Sequence, residues 1–225
     1  MLRKLAVSAV GAGALALVVG APASALPTGS WTLTGASTGS TITATSSNLV
    51  FSVSGTPVAS CTSATATGKV ANTSGTWETP PPNSGTPAIS PLTVTTSGCA
   101  TIPPTPSMTF NMTQNGTAAL YATGVTTGSP GTTPGQIRGL SVKGTALGGL
   151  CTVQIDGPGG ANSKTGIVGG TYNNNGTITA TGTSNMTIAS AGILCSLGGI
   201  GVGDPASLSG SFTVSGTAPV ITAIP

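Results

Sequence analysis

Glu78, Asp156 and Asp204 are the only acidic side chains in this 225-residue chain, which contains no histidine. The lack of histidine excludes Ser-His-Asp and Cys-His catalysis and removes the commonest metal ligand. Glycoside hydrolysis needs two carboxylates at a set separation. Glu78 adjoins a proline-rich loop, while Asp156-Gly157 and Asp204-Pro205 have the character of turns, so no working pair is expected. Ser163-Lys164, and Ser141 with Lys143, bring a hydroxyl near an amine, yet neither has the Ser-x-x-Lys spacing. Gly157 to Gly160 is glycine-rich but contains Pro158 and no following Lys-Ser/Thr, which reads as a turn rather than a phosphate cradle. The chain is therefore read as a non-enzyme with no catalytic residue, no metal site and no cofactor. Lys69, Glu78, Asp156, Lys164 and Asp204 are expected to be hydrated, dispensable for folding, and not part of a reaction centre.

Binding chemistry has few carriers. Trp31, Trp77, Tyr121 and Tyr172 are the aromatic side chains with a polar handle. Trp31 and Tyr121 fall at nearly equivalent places in two related halves, which suggests core packing. Trp77 and Tyr172 lie beside polar, turn-rich segments and are the candidates for ligand binding, as a platform for a sugar. Packing at a sheet edge with a wetted tip accounts for both more simply. Thr41-Ile42-Thr43-Ala44-Thr45 and Thr177-Ile178-Thr179-Ala180-Thr181 would suit an ice-binding face if flat, but the wet face of an antiparallel sheet needs no such role.

The four cysteines lie in a pattern that repeats. Ser52-Val53-Ser54-Gly55-Thr56 precedes Cys61-Thr62, and Ser141-Val142-Lys143-Gly144-Thr145 precedes Cys151-Thr152. Leu92-Thr93-Val94 before Cys99 likewise matches Met186-Thr187-Ile188 before Cys195. Four cysteines allow three pairings, and a duplication selects Cys61–Cys99 and Cys151–Cys195, one disulfide in each half. Neither spacing suits a redox or metal pair. The halves, 26–118 and 119–225, would form either two small sandwiches or one pseudo-symmetric fold. Phe and Trp are scarce, so a core in either half would be marginal alone, which favours close packing of the two.

Strands are expected throughout. Apolar residues alternate in Trp31/Leu33, Leu49/Phe51/Val53, Leu92/Val94, Met108/Phe110/Met112, Cys151/Val153/Ile155, Met186/Ile188 and Phe212/Val214, with mostly Thr, Ser, Ala or Asn between them. Such alternation buries one face of a strand and wets the other. Turn signals at Gly55-Thr56-Pro57, Asn115-Gly116, Asn175-Gly176 and Gly203-Asp204-Pro205 separate the runs. Proline-rich stretches from Thr79 to Pro87 and from Ile102 to Pro106 should be loops or strand edges. The fold class is all-β, an antiparallel sandwich or barrel.

Residues 1–25 have the form of a secretory signal peptide. Arg3 and Lys4 precede an uncharged stretch from Leu5 to Gly20, and Ala23-Ser24-Ala25 offers the small residues of a cleavage site. The expected mature protein starts at Leu26, with Lys69, Arg138, Lys143 and Lys164 set against the three acids. A charge so near neutral argues against nucleic acid and against polybasic membrane recruitment. No later segment is apolar for long enough to span a bilayer. The expected location is extracellular, with loose attachment to the cell envelope as a variant.

The Ala/Gly-rich leader, the Thr/Ser/Gly strands, the Ser-Val-x-Gly-Thr segments and the paired cysteines together resemble uncharacterised secreted proteins of high-GC actinobacteria. That resemblance spans the mature chain and carries no active site. The apoproteins of the enediyne chromoproteins are similar in composition and in having two disulfides. They are shorter and differ in cysteine spacing, so their ligand function is not carried over. The functional expectation is a secreted structural or interaction protein. Its alternative is a module binding a polysaccharide or small hydrophobic ligand in a cleft between the halves, with a cell-wall or glycan contact as partner.

Overall fold

The computed structural model describes residues 28–78, 85–103, 108–197 and 200–225. The signal segment 1–25 and the middle of each proline-rich loop lie outside the described residues. Among the described residues sixteen strands follow one another: β1 (Thr28–Thr34), β2 (Thr41–Ser46), β3 (Leu49–Val53), β4 (Thr56–Val70), β5 (Ser74–Glu78), β6 (Pro87–Thr101), β7 (Thr109–Gln114) and β8 (Ala118–Ala122). Then come β9 (Thr132–Leu140), β10 (Val142–Ala146), β11 (Cys151–Asp156), β12 (Gly166–Asn173), β13 (Thr177–Ser184), β14 (Thr187–Ala191), β15 (Ala206–Val214) and β16 (Val220–Ile224). Among the described residues, a 3-10 turn at Leu147–Gly149 precedes β11 and a short helix, α1 (Ile193–Leu197), precedes β15.

Antiparallel pairing closes eight strands into a barrel, in the order β6-β8-β9-β12-β13-β15-β2-β4 and back to β6. The ring draws on both halves of the chain. Buried side chains on its strands mix small residues, such as Ala64, Ala118, Ala122 and Ala180, with large ones, such as Leu92, Leu140, Val168 and Phe212. An eight-stranded barrel leaves just enough room for side chains to meet across it. Gly68 shows how tight the wall is, since a Cβ there would lie 2.3 Å from Ile89 Cγ2.

β4 and β6 run for 15 residues each, longer than the short strands expected. Both change partners along their length. The start of β4 pairs with β3 and its end with β2, while the start of β6 pairs with β8 and its end with β7. The wall therefore continues through β7, β10, β11 and β14, whose buried side chains belong to the same core. β14 approaches the start of β15, where Ala206 N donates to Met186 O at 2.8 Å. The alternating runs supply the buried face as expected, with Val94 and Met108 half-buried and the others buried.

A separate sheet, β16-β1-β5, carries Trp31 and Leu33 inward. The outer edge of β16 is covered by side chains. Ala223 N donates to Thr126 Oγ1 at 2.7 Å, and Asn174 both accepts from Ile221 N at 2.9 Å and donates to Ile221 O at 3.0 Å. Covering an edge in this way blocks strand addition by another chain.

Both disulfides are those expected, Cys61–Cys99 and Cys151–Cys195. The matched segments nevertheless sit in different surroundings. Gly55 lies in the β3–β4 turn with φ +79°, whereas Gly144 is inside β10 against Phe110. Cys61 and Cys99 face each other across β4 and β6, while Cys195 lies on α1.

The threonine repeats form a continuous row. Thr177, Thr213, Thr45, Thr65, Thr95 and Thr113 are successive cross-strand neighbours, and Lys143 follows Thr113. Each adjacent strand turns by about 20–25° relative to the last, and these strands belong to a curved wall. The row thus winds around the barrel and forms no flat array.

Candidate functional site

The two aromatic residues expected at a ligand surface are inside the protein. Trp77 is 3% exposed and Tyr172 is 7% exposed, so neither ring face is open to a sugar. Trp77 Nε1 donates to Ile224 O at 2.9 Å, and the Tyr172 hydroxyl donates to Pro219 O. Their polar tips thus tie β5 and β12 to the ends of β16. Burial pushes the Tyr172 hydroxyl up to about 12.

Tyr121, expected in the core with Trp31, is instead half-exposed and lines a cleft of about 330 Å³ on the barrel wall. The cleft also brings together Arg138 and Lys164. Arg138 stands opposite the small Ala119 on β8, with Tyr121 two residues further along that strand. Diagonal neighbours on a sheet are within reach of long side chains. The guanidinium accordingly stacks 4.5 Å from the centre of the Tyr121 ring, and Arg138 Nε donates to Gln136 Oε1 at 3.1 Å. These two contacts fix the plane of the fork.

A bulge aims Arg138 outward. Ile167 pairs with Arg138 and Gly166 with Leu140, so Gly139 is an extra residue on β9, at φ +86°. Residues 138 and 140 would share one face of a regular strand. With Gly139 inserted, Leu140 is buried while Arg138 lines the cleft. Such glycine bulges re-aim side chains.

Lys164 comes from the segment 157–165, which is held from several sides. Asp156, expected to be a hydrated turn residue, is 0% exposed, and that expectation is corrected here. The loop folds back over it, and Asp156 Oδ1 accepts from Gly157 N at 2.9 Å, Ser163 Oγ at 2.8 Å and Thr165 N at 3.3 Å. Burial acts to raise its pKa. The hydroxyls of Ser163 and Ser141 and the amides of Gly157 and Thr165 outweigh it, leaving the carboxyl below its usual value. Oδ2 makes no hydrogen bond of standard geometry among the described residues. Asn162 Oδ1 accepts from Asn115 Nδ2 at 2.8 Å and from Gln154 Nε2 at 3.1 Å, which docks the loop on the β7–β8 turn. Lys164, at φ +56°, lies across that turn, close enough that a Cβ on Gly116 would be 3.0 Å from its Nζ.

The residues lining the cleft thus include Arg138 and Lys164 together with Ser90, Thr117 and Thr165. Among the described residues no carboxylate lines it. Planar guanidinium and flexible ammonium together suit an oxyanion. The other candidate pairs do not assemble. Ser141 is 0% exposed while Lys143 points to solvent. Ser163 donates its hydroxyl to Asp156, and Asp204 Oδ2 accepts from Gly201 N at 2.7 Å in its own turn. Lys69 is exposed on β4, and Glu78 closes β5.

Two other hollows bear on binding. The barrel interior holds an apolar cavity of about 50 Å³ among Leu49, Val94, Leu140, Val168 and Phe212. A broad depression of about 580 Å³ near Thr109, Asn111 and Leu147 has no ionisable lining residue. Among the described residues no cluster of three or more His, Cys, Asp or Glu side chains could hold a metal, and no helix is long and apolar enough to cross a membrane.

No family model, curated protein or solved structure matches this chain. The fold and the site thus define a class, a disulfide-braced all-β barrel with a cationic cleft on its wall.

Proposed function

We propose that this protein is an exported, non-enzymatic interaction module, free in the extracellular space or loosely held at the cell envelope. The observation carrying this reading is the arrangement of its ionisable groups. Among the described residues no carboxylate lines the wall cleft, while Asp156 is buried beneath a loop with its pKa held below the usual value. A general acid needs a raised pKa and access to its substrate, and Asp156 has neither. Two disulfides suit an oxidising compartment.

Recognition falls to the outer wall. Pockets for small molecules usually measure roughly 300–1,000 Å³. The interior cavity is far below that range, which disfavours the carriage of a hydrophobic ligand inside the barrel. The wall cleft lies within it and has mixed polar character, so a glycan of the envelope is the favoured partner.

The test is co-sedimentation of the disulfide-intact protein with isolated cell-wall polysaccharide, with release of reducing sugar followed in the same tubes. Retention on the polymer without release of sugar is expected. Protein left wholly in the supernatant, or turnover of the polymer, would contradict this function.

A further inference from the structure

We infer that the loop tip around the Cys151–Cys195 disulfide docks on a lipid surface, its aliphatic side chains entering the hydrocarbon of a layer with uncharged headgroups. The inference goes beyond the polysaccharide reading, and neither depends on the other.

Two loops build the tip. One joins β10 to β11 and exposes Leu147 and Leu150, and the other joins β14 to β15 through α1 and exposes Ile193, Leu194 and Val202. Among the described residues seven large apolar side chains are exposed, and five of them stand here, a concentration unlike the single scattered residues of an ordinary surface. The disulfide joins the loops, Gly192 N donates to Thr152 O at 2.7 Å, and Ile200 N donates to Cys195 O at 3.3 Å. Met108 lines the broad depression with Leu147 and a small apolar crevice with Leu194, which sets the two loops side by side.

The backbone adds a second observation. Leu147 is held at φ +53°, where any residue with a Cβ is disfavoured, and Gly148 and Gly149 follow at φ +62° and +99°. A leucine there is unfavourable for the backbone and, at 46% exposed, for hydration as well. Contact outside the chain is what such a residue contributes.

Composition selects the occupant. Residues 144–155 and 187–203 contain no charged and no aromatic side chain. Anionic lipid would call for Lys or Arg beside the tip, and protein interfaces favour aromatic residues and Arg. The five side chains expose on the order of 500 Å², short of the roughly 800 Å² that each partner of a stable protein interface buries. Hydrocarbon requires neither charge nor matched shape, and aliphatic area entering it is stabilised in proportion to its extent.

Flotation of the disulfide-intact protein with phosphatidylcholine vesicles tests this. The protein should float equally at low and high salt, and admixed phosphatidylglycerol should change little. Leu150→Ser with Ile193→Ser should weaken partitioning at least about tenfold. Val220→Ser with Ile224→Ser, at the exposed positions of β16, should leave it unchanged, and thermal melts confirm that both double variants fold. Leu147→Asn should melt no lower than the native protein yet bind vesicles more weakly, which separates the contact from the fold. Trp31 and Trp77 are buried, so Leu150→Trp places an exposed indole at the tip, and brominated phosphatidylcholine should quench it.

Protein left below the vesicles, an unquenched Leu150→Trp indole, or partitioning unchanged in the double tip variant would overturn the inference. Sedimentation as a dimer that the tip variant dissociates, without flotation, would overturn it too and assign the tip to a second copy. The vesicles contain no polysaccharide and every variant keeps the residues of the wall cleft, so polysaccharide retention stands or falls separately.

Discussion

A carboxylate taken out of water must recover its hydration from hydrogen bonds, or it takes up a proton. Asp156 recovers it through Oδ1, which gathers two amides and a hydroxyl from the loop that covers it. Replacing it by alanine removes the acceptor that holds the loop and leaves the buried Gly157 amide unmatched, so Asp156→Ala should lose about 2–4 kcal/mol in urea unfolding. Its folded pKa lies below the ordinary 3.8. The stabilisation is therefore complete above that value and is lost as pH falls through the folded pKa. Urea midpoints measured across the acidic range should fall for the native protein below about pH 4 and fall less for Asp156→Asn. Asp156-Gly157 has the sequence character of a solvated turn, and local pattern gives no sign that Ser163 and Thr165 fold back over it. Trp77 and Tyr172 misled for a related reason. Their neighbours are polar, yet both are buried and their polar tips reach the end of β16 and the residue before it, which are remote in sequence.

Strand faces follow from local alternation, and the buried stripes lie where period two puts them. Strand length and partnership do not follow, because β4 and β6 exchange partners midway without any break in pattern. The β9 bulge was partly legible, since an isolated glycine inside a strand marks such irregularities. The cleft that it creates was not, because Arg138, Tyr121 and Lys164 come from three separate elements. Gly139→Ala would force a side chain to φ +86° with its Cβ 3.4 Å from Thr117 O. It should cost about 1–2 kcal/mol and weaken retention on cell-wall polysaccharide by disturbing the wall cleft that Gly139 lines. A thermal melt and a titration on one sample would check both effects. Gly170→Ala should be worse, since its Cβ would lie 2.2 Å from Thr179 O and push β12 away from β13. Little soluble protein is expected from that variant.

At the scale of the whole molecule, the ring and its extension are braced by two covalent links whose cysteines stand 38 and 44 residues apart. Opening either one, as Cys99→Ser with Cys61→Ser or Cys195→Ser with Cys151→Ser, should cost about 2–4 kcal/mol in denaturant unfolding. The cysteine pattern made this pairing readable, although the repeated segments around it settle into different geometries. What the braced barrel holds is nearly solid, and the chemistry it offers is on its wall. The most direct test is amide chemical-shift mapping of the disulfide-intact protein during titration with soluble fragments of cell-wall polysaccharide. Shifts centred on Ser90, Thr117, Tyr121, Arg138 and Thr165, with Leu49, Val168 and Phe212 still, are expected. Shifts concentrated at those interior residues, or none anywhere, would contradict recognition by the wall cleft.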